Sequence, residues 1–294
     1  MTCINTQFVR FVTDNILTEA TLTAATQSTY PVDNVTDTRH SYVVLGNTDP
    51  TYPTAPYIAV PDLNIEATWP SLQRANHIGF FWGNLTASAT LRLRLYSDDN
   101  YVNLIYDSGE VQALKFKTLF QLDWLLDPFV TPLEYSNDLG KNTDWEFTTS
   151  LFQSAKMDIS NPTNTDGYIN IGNIFLGTSF VTEKVNIQSS NFQILELSEI
   201  STASDASVVP LRNTNIGYNV GIEWESLELS DRNLITENIL FPNSVHKPIM
   251  IDFFPELDYT MRQQHFGIFY LVQQPDIGID INLLSGIGLN FQRA

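Results

Sequence analysis

The sequence predicts a mostly β protein: a β-sandwich before about residue 185, then a smaller β-rich unit carrying one short helix. Three observations predict it. Apolar and polar side chains alternate with a period of two in Thr90–Tyr96 and again in Ile216–Trp224. Pro, Asn, Asp and Gly punctuate the chain between short apolar runs. Only 16% of residues are charged, so surface polarity falls to Thr, Ser, Asn and Gln. That habit suits β-strands and assembly subunits whose surfaces partners cover.

Taken in chain order, the elements follow from local chemistry. In "ANHIGFFWGNLTASATLRLRLYSDD" an aromatic run passes through "GNLTASA" into a strand with Leu91, Leu93 and Leu95 on one face and Arg92 and Arg94 on the other. "SDDN" is turn chemistry, and Val102–Tyr106 reads as the returning strand, closed by Asp107-Ser108-Gly109. "GYINIGNIFLG" switches its apolar parity partway, which predicts a bulge near Gly172. The boundary between the units is placed near "SFVTEKVNIQ", giving residues 1–185 and 186–294. "SEISTASDASVVP" reads as a long polar loop in the second unit. "IGYNVGIEW" puts Ile216, Tyr218, Val220, Ile222 and Trp224 on one face and fixes its register. "SDRNLITENILF" predicts a helix capped by Ser230, favoured by Asp231 and ended by Pro242. "KPIMIDFF", "HFGIFYLVQQ" and "INLLSGIGLNF" read as further strands.

The formal net charge of −18, with no Lys/Arg cluster, excludes a nucleic-acid binder. Cys3 is the only cysteine, which rules out an internal disulfide and a cysteine-based zinc site. The first residues show no basic-then-apolar leader, and no apolar run has the length of a membrane span. Synthesis in a cytoplasm is therefore expected, and the sequons at Asn34 and Asn84 are read as chance.

No catalytic constellation, cofactor motif or metal site is expected. Ser108 sits in turn chemistry rather than in a nucleophile elbow. His40, His77, His246 and His265 are scattered and read as structural or surface histidines. Asp98-Asp99-Asn100 offers oxygens for calcium but lacks the twelve-residue loop pattern. Glu223 and Glu225 flank Trp224 on one strand face and read as a solvated face rather than as a catalytic carboxylate pair. "GNIFLG" has neither the lysine of a phosphate loop nor dinucleotide spacing. Tyr52, Tyr57 and Trp69, in the Pro-rich "DPTYPTAPYIAVPDLNIEATWP", are candidate glycan-contacting rings; the alternative is that they pack on their own domain.

The ordered series "STYPVDNVTDTRHSYVV", "ATWPSLQRANHIGFFWGNLTASATLRLRLYSDD", "LIYDSGEV" and "KMDISNPTNTDGYINIGNIFLG" resembles the discoidin-like (galactose-binding-like) jelly-roll domain of tail proteins of tailed bacteriophages. The resemblance covers roughly residues 20 to 180, with a vaguer likeness beyond, in "IGYNVGIEWESL" and "KPIMIDFFPE", to the β-rich segment of distal-tail or baseplate subunits. One departure is Asn173, where the family often carries arginine. The resemblance implies a non-enzymatic virion protein of the tail tip. It would form a homo-oligomeric ring joining the tail tube to hub and receptor-binding proteins. The alternative is a carbohydrate-binding adhesion module that contacts host glycans. Neither involves nucleic acid or membrane insertion. Arg92 and Arg94 are expected to meet carboxylates of the same chain or of a neighbouring subunit, as assembly contacts.

Overall fold

The computed structural model describes residues 8–24, 31–37, 44–46, 62–86, 88–113, 142–164, 168–182, 191–196, 199–202, 208–211, 216–224, 229–240, 247–253, 255, 266–272 and 287–293. Its strands are β1 (Val9–Val12), β2 (Thr21–Ala24), β3 (Val44–Gly46), β4 (Asp62–Gly83), β5 (Thr90–Tyr96), β6 (Leu104–Asp107), β7 (Val111–Gln112), β8 (Thr143–Ser160), β9 (Ile169–Gly177) and β10 (Ser179–Thr182). There follow β11 (Asn191–Glu196), β12 (Glu199–Thr202), β13 (Val208–Leu211), β14 (Ile216–Trp224), α1 (Leu229–Ile235), β15 (Pro248–Asp252), β16 (Phe266–Leu271) and β17 (Ile287–Arg293). The protein is mostly β, with sheets packed as a sandwich and one short α-helix. The chain forms two units, neither continuous in sequence: residues 10–180 with 250–267, and residues 1–9 with 181–249 and 268–294.

In the first unit eight antiparallel strands form one sheet. Its main path runs β3-β9-β4-β8-β5-β6, with β2 also on β4 and β7 also on β5. β4 and β8 are 22 and 18 residues long and pair along most of their length. Their register shifts between Thr68 and Gln73 and again between Ala75 and His77. The inward parity of β4 changes across the second of these, between Ala75 and Ile78. The inward set is Leu63, Ile65, Ala67, Trp69 and Ala75 up to the second shift, then Ile78 and Phe80 after it. Because both ends of β4 and β8 feed one core, the sheet curls around it. Leu91, Leu93 and Leu95 of β5 reach the same core, each fully buried. The expected strand at Thr90–Tyr96 is therefore present with its leucines inward.

β9 corrects the expected bulge near Gly172. Its pairing with β4 is regular from His77↔Gly177 to Gly83↔Ile171. The mixed parity has another cause: both faces of β9 are buried, so both want apolar or small residues. Ile169, Ile171, Ile174 and Leu176 belong to the core cluster, and Asn173 and Phe175 are fully buried as well. The β1–β15 pair, in register Phe11↔Ile251, belongs to the covering layer. Gly177 is needed there. A methyl group at Gly177 would fall inside contact distance of the Asp14 carbonyl oxygen and 2.9 Å from Val12 Cγ1.

In the second unit β14 pairs with β11 on one side and β17 on the other, and β17 pairs with β16. Val220, Ile222 and Trp224 of β14 are buried, in the register the sequence demands. Two expectations change here. The stretch read as a loop over 198–210 contains the hairpin β12–β13, paired from Glu199↔Leu211 to Thr202↔Val208; its Thr, Ser, Ile and Val residues suit strands as well as loops. The helix begins at Leu229, so Ser230 lies within its first turn rather than capping it. It widens into a π-turn over Thr236–Leu240 that buries Ile239 and Leu240. Pro242 lies outside the described residues.

Candidate functional site

The outer face of the β4–β8–β5–β6 layer carries three ion pairs among the described residues. Alternation sends Asn64 and Glu66 of β4, Lys156 and Asp158 of β8, and Arg92 and Arg94 of β5 away from the core. The register then sets Glu66↔Lys156↔Arg94↔Asp107 in one row and Asn64↔Asp158↔Arg92 in the next. Arg94 thus stands directly opposite another cation, Lys156, which is unfavourable across a strand pair. The side chains resolve this diagonally. Arg92 faces Asp158 but donates to Asp107, through Nε to Oδ1 at 2.8 Å and Nη2 to Oδ2 at 2.5 Å. Arg94 faces Asp107 but donates to Asp158. Lys156 Nζ donates to Glu66 Oε1 at 2.6 Å. The carboxylate partners expected for Arg92 and Arg94 are therefore present within the chain itself.

These pairs are partly exposed, so each contributes little to stability. Their effect is to neutralise and fix the face. The Arg92 hydrogen bonds hold the Asp107 carboxyl down at about 2 and raise the Arg92 guanidinium further. A depressed carboxyl contributes stability above its unfolded value, 3.8, and loses it as pH falls towards 2. We expect the Asp107 carboxyl carbon to titrate by NMR with a midpoint near 2. In Arg92→Gln the midpoint returns towards 3.8. An unchanged midpoint in the variant contradicts the assignment.

At the end of this face, the β5–β6 turn is built on Asp98. Its Oδ1 accepts the amides of Asn100 (2.9 Å) and Val102 (3.0 Å), and its Oδ2 accepts that of Asn103 (2.6 Å). The Val102 and Asn103 amides lower the Asp98 carboxyl. Both oxygens thus serve the turn, and the calcium alternative for Asp98-Asp99-Asn100 has no supporting geometry. Among the described residues no group of three or more His, Cys, Asp or Glu side chains could hold a metal ion. The same turn delays β6, which starts at Leu104 rather than Val102.

The turn also forces Tyr101 to φ 59, making it the one non-glycine residue with positive φ among those described. A side chain there costs about 1–2 kcal/mol of backbone strain, and such strain clusters at functional positions. Tyr101 is half-exposed. Its ring meets Tyr96 edge-on at 5.6 Å and lies 4.3 Å from Lys156 Nζ. Burial, with Glu66 and Tyr96 nearby, pushes its hydroxyl up to about 12. An aromatic ring, an ammonium and a carboxylate therefore converge on a preformed surface.

The candidate rings from the sequence fare differently. Trp69 is a correction: it is 2% exposed, donates from Nε1 to the Ile16 carbonyl at 2.8 Å, and meets Phe152 edge-on. It packs the core and cannot touch a glycan. Tyr52 and Tyr57 lie outside the described residues, as do Cys3, His40, His246, His265 and Glu225. His77 is structural: wholly buried, its Nε2 lies 2.8 Å from Asp144 Oδ2. The Ser108 hydroxyl accepts from Leu93 N and donates to Gly109 O, completing the turn. Asn173 is buried and donates to the Asp37 carbonyl. Asn84 donates to Tyr168 O and accepts from Asn170 N, so its sequon amide is a bridge between strands. Sequence reasoning missed Tyr101, Lys156 and Glu66. The even-numbered alternation of β4 and β8 could have revealed the last two.

No protein-family model and no curated protein matches the chain. Among solved structures it is similar over part of its length to carbohydrate-binding modules. One is chitosan-binding module 1 of a chitosanase/glucanase from Paenibacillus sp. IK-5, with 12% identity, TM-score 0.36, and coverage of 55% of this chain and 98% of that one. Another is CpGH89CBM32-5 from Clostridium perfringens, in complex with GalNAc-β-1,3-galactose, with 11% identity, TM-score 0.36, and coverage of 55% and 98%. A third is CBM32 of AlyQ in complex with 4,5-unsaturated mannuronic acid, with 13% identity, TM-score 0.31, and coverage of 53% and 92%.

Proposed function

We propose that the chain is a non-enzymatic binding protein whose jelly roll takes a neutral glycan on the face beside Tyr101. The observation that carries this reading is Tyr101 itself, held in a strained conformation over the Lys156–Glu66 pair. A sugar needs an apolar ring face to stack on and paired donors and acceptors for its hydroxyls. Tyr101 supplies the first; Lys156 and Glu66 supply the second. The adjacent cations are already bound to carboxylates, so the face has no special attraction for an anionic sugar. The test is affinity electrophoresis against bacterial surface polysaccharides. Tyr101→Gly weakens retention at least about tenfold, while Tyr101→Phe keeps it. Equal retention by the glycine variant contradicts the reading. The variant remains folded, because relief of the left-handed strain offsets the lost ring contacts to within about 1 kcal/mol.

A second reading is assembly into a bacteriophage tail tip, as a ring subunit next to tube, hub and receptor-binding proteins. It is favoured by the exposed apolar residues Val102, Leu104 and Ile105 at one sheet edge. Immunogold labelling of purified particles tests it: label at the tail tip supports it, and unlabelled particles remove it.

A further inference from the structure

We propose that the β5–β6 hairpin is a protein-docking edge, and that its occupant is not a second copy of this chain but an apolar strand of another protein flanked by lysine or arginine. The inference deepens the assembly reading and rests on it. Three observations carry it.

The first is an edge that no described strand covers. β6 ends the main path of the eight-stranded sheet. Val102, Leu104 and Ile105 are 74%, 49% and 44% exposed. Isolated apolar residues on a surface are ordinary, but two on a four-residue edge strand with a third in the turn before it are not. Proteins guard such edges with lysine, proline, short strands or bulges; β6 has no lysine or proline and only its four-residue length and a bulge as guards. The irregularity between Leu95 and Tyr96 leaves Ile105 without a partner on β5, so it is the extra residue of the edge.

The second is rigidity. Asp98 fixes the turn through three amides, Ser97 N donates to Asn103 O at 3.0 Å, and Arg92 clamps Asp107 at the far end of β6. An edge already ordered gives up little entropy when a strand joins it.

The third is charge. The carboxylates around the edge are Asp98, Asp99, Asp107 and Glu110, while Arg92, Arg94 and Lys156 each hold a carboxylate of this chain. With a net charge of −18, a second copy would bring the same acidic rim against itself. A strand with basic flanks would meet complementary charge instead.

The experiment uses the full chain and two fluorescein-labelled peptides of about nine residues, one alternating valine with lysine and one valine with glutamate. Fluorescence anisotropy should show the lysine peptide binding at least about tenfold tighter, with the preference shrinking as salt rises. The double substitution Leu104→Lys and Ile105→Lys should abolish that binding and leave the thermal transition unchanged, since both side chains are exposed. Equal binding of the two peptides, binding that survives the double substitution, or no binding of either peptide overturns the proposal. So does sedimentation that shows a dimer dissolved by the same substitutions, because the occupant is then a second copy. Retention of a glycan that requires Leu104 and Ile105 also counts against it. Absence of the chain from purified particles removes the assembly reading and is a separate outcome.

Discussion

Trp69→Ala destabilises the jelly roll by about 3–5 kcal/mol, because it empties the largest single volume at one end of the core. The indole is wedged against Phe152 and tied to the Ile16 carbonyl, so both packing and a buried hydrogen bond are lost. Urea unfolding checks this: the midpoint falls steeply in Trp69→Ala. Trp69→Phe, which keeps the ring but not the N–H donor, recovers part of the loss. A Trp69→Ala protein with a native midpoint would mean that the indole lies at the surface after all.

The second large effect is at Gly177. Its neighbour is backbone, the Asp14 carbonyl, which cannot swing aside as a side-chain end could. Gly177→Ala forces β1 and β9 apart and costs about 3 kcal/mol or more. Gly109 is a glycine for a different reason. A methyl group there meets nothing within 4 Å, but φ is +64. Gly109→Ala costs only about 1 kcal/mol, from left-handed strain. Denaturation midpoints of the two alanine variants should differ clearly, with Gly177→Ala much the lower. Equal midpoints would contradict the account of the β1–β9 approach.

What could be read in the sequence follows burial. β5 and β14 were legible because one face of each is buried, which writes a clean alternation. β9 was not, because both of its faces are covered and parity then carries no signal. The register shifts in β4 hide a single long strand, since its apolar set moves from odd to even positions between Ala75 and Ile78. Trp69 sits beside Pro70 and looked loop-like, yet it continues the inward series Leu63, Ile65, Ala67. The arginine–carboxylate lattice was foreseeable from two outward arginines in an acidic chain. Its crossed pairing was not, because it depends on the alignment of three strands. Tyr101 was invisible for a related reason. Left-handed positions usually fall to Gly or Asn, and Asn100 is the residue before it.

On the proposed function, the β5–β6 end of the first unit, with Tyr101 at its centre, is where the protein meets its ligand. Amide chemical-shift mapping tests it most directly. The isotope-labelled chain is titrated with neutral oligosaccharides released from bacterial envelopes. The account predicts saturable shifts at Tyr101, Lys156 and Glu66 and in the Asp98–Asn103 turn, absent in Tyr101→Gly. Shifts confined to other parts of the fold, or shifts that persist in Tyr101→Gly, would contradict it.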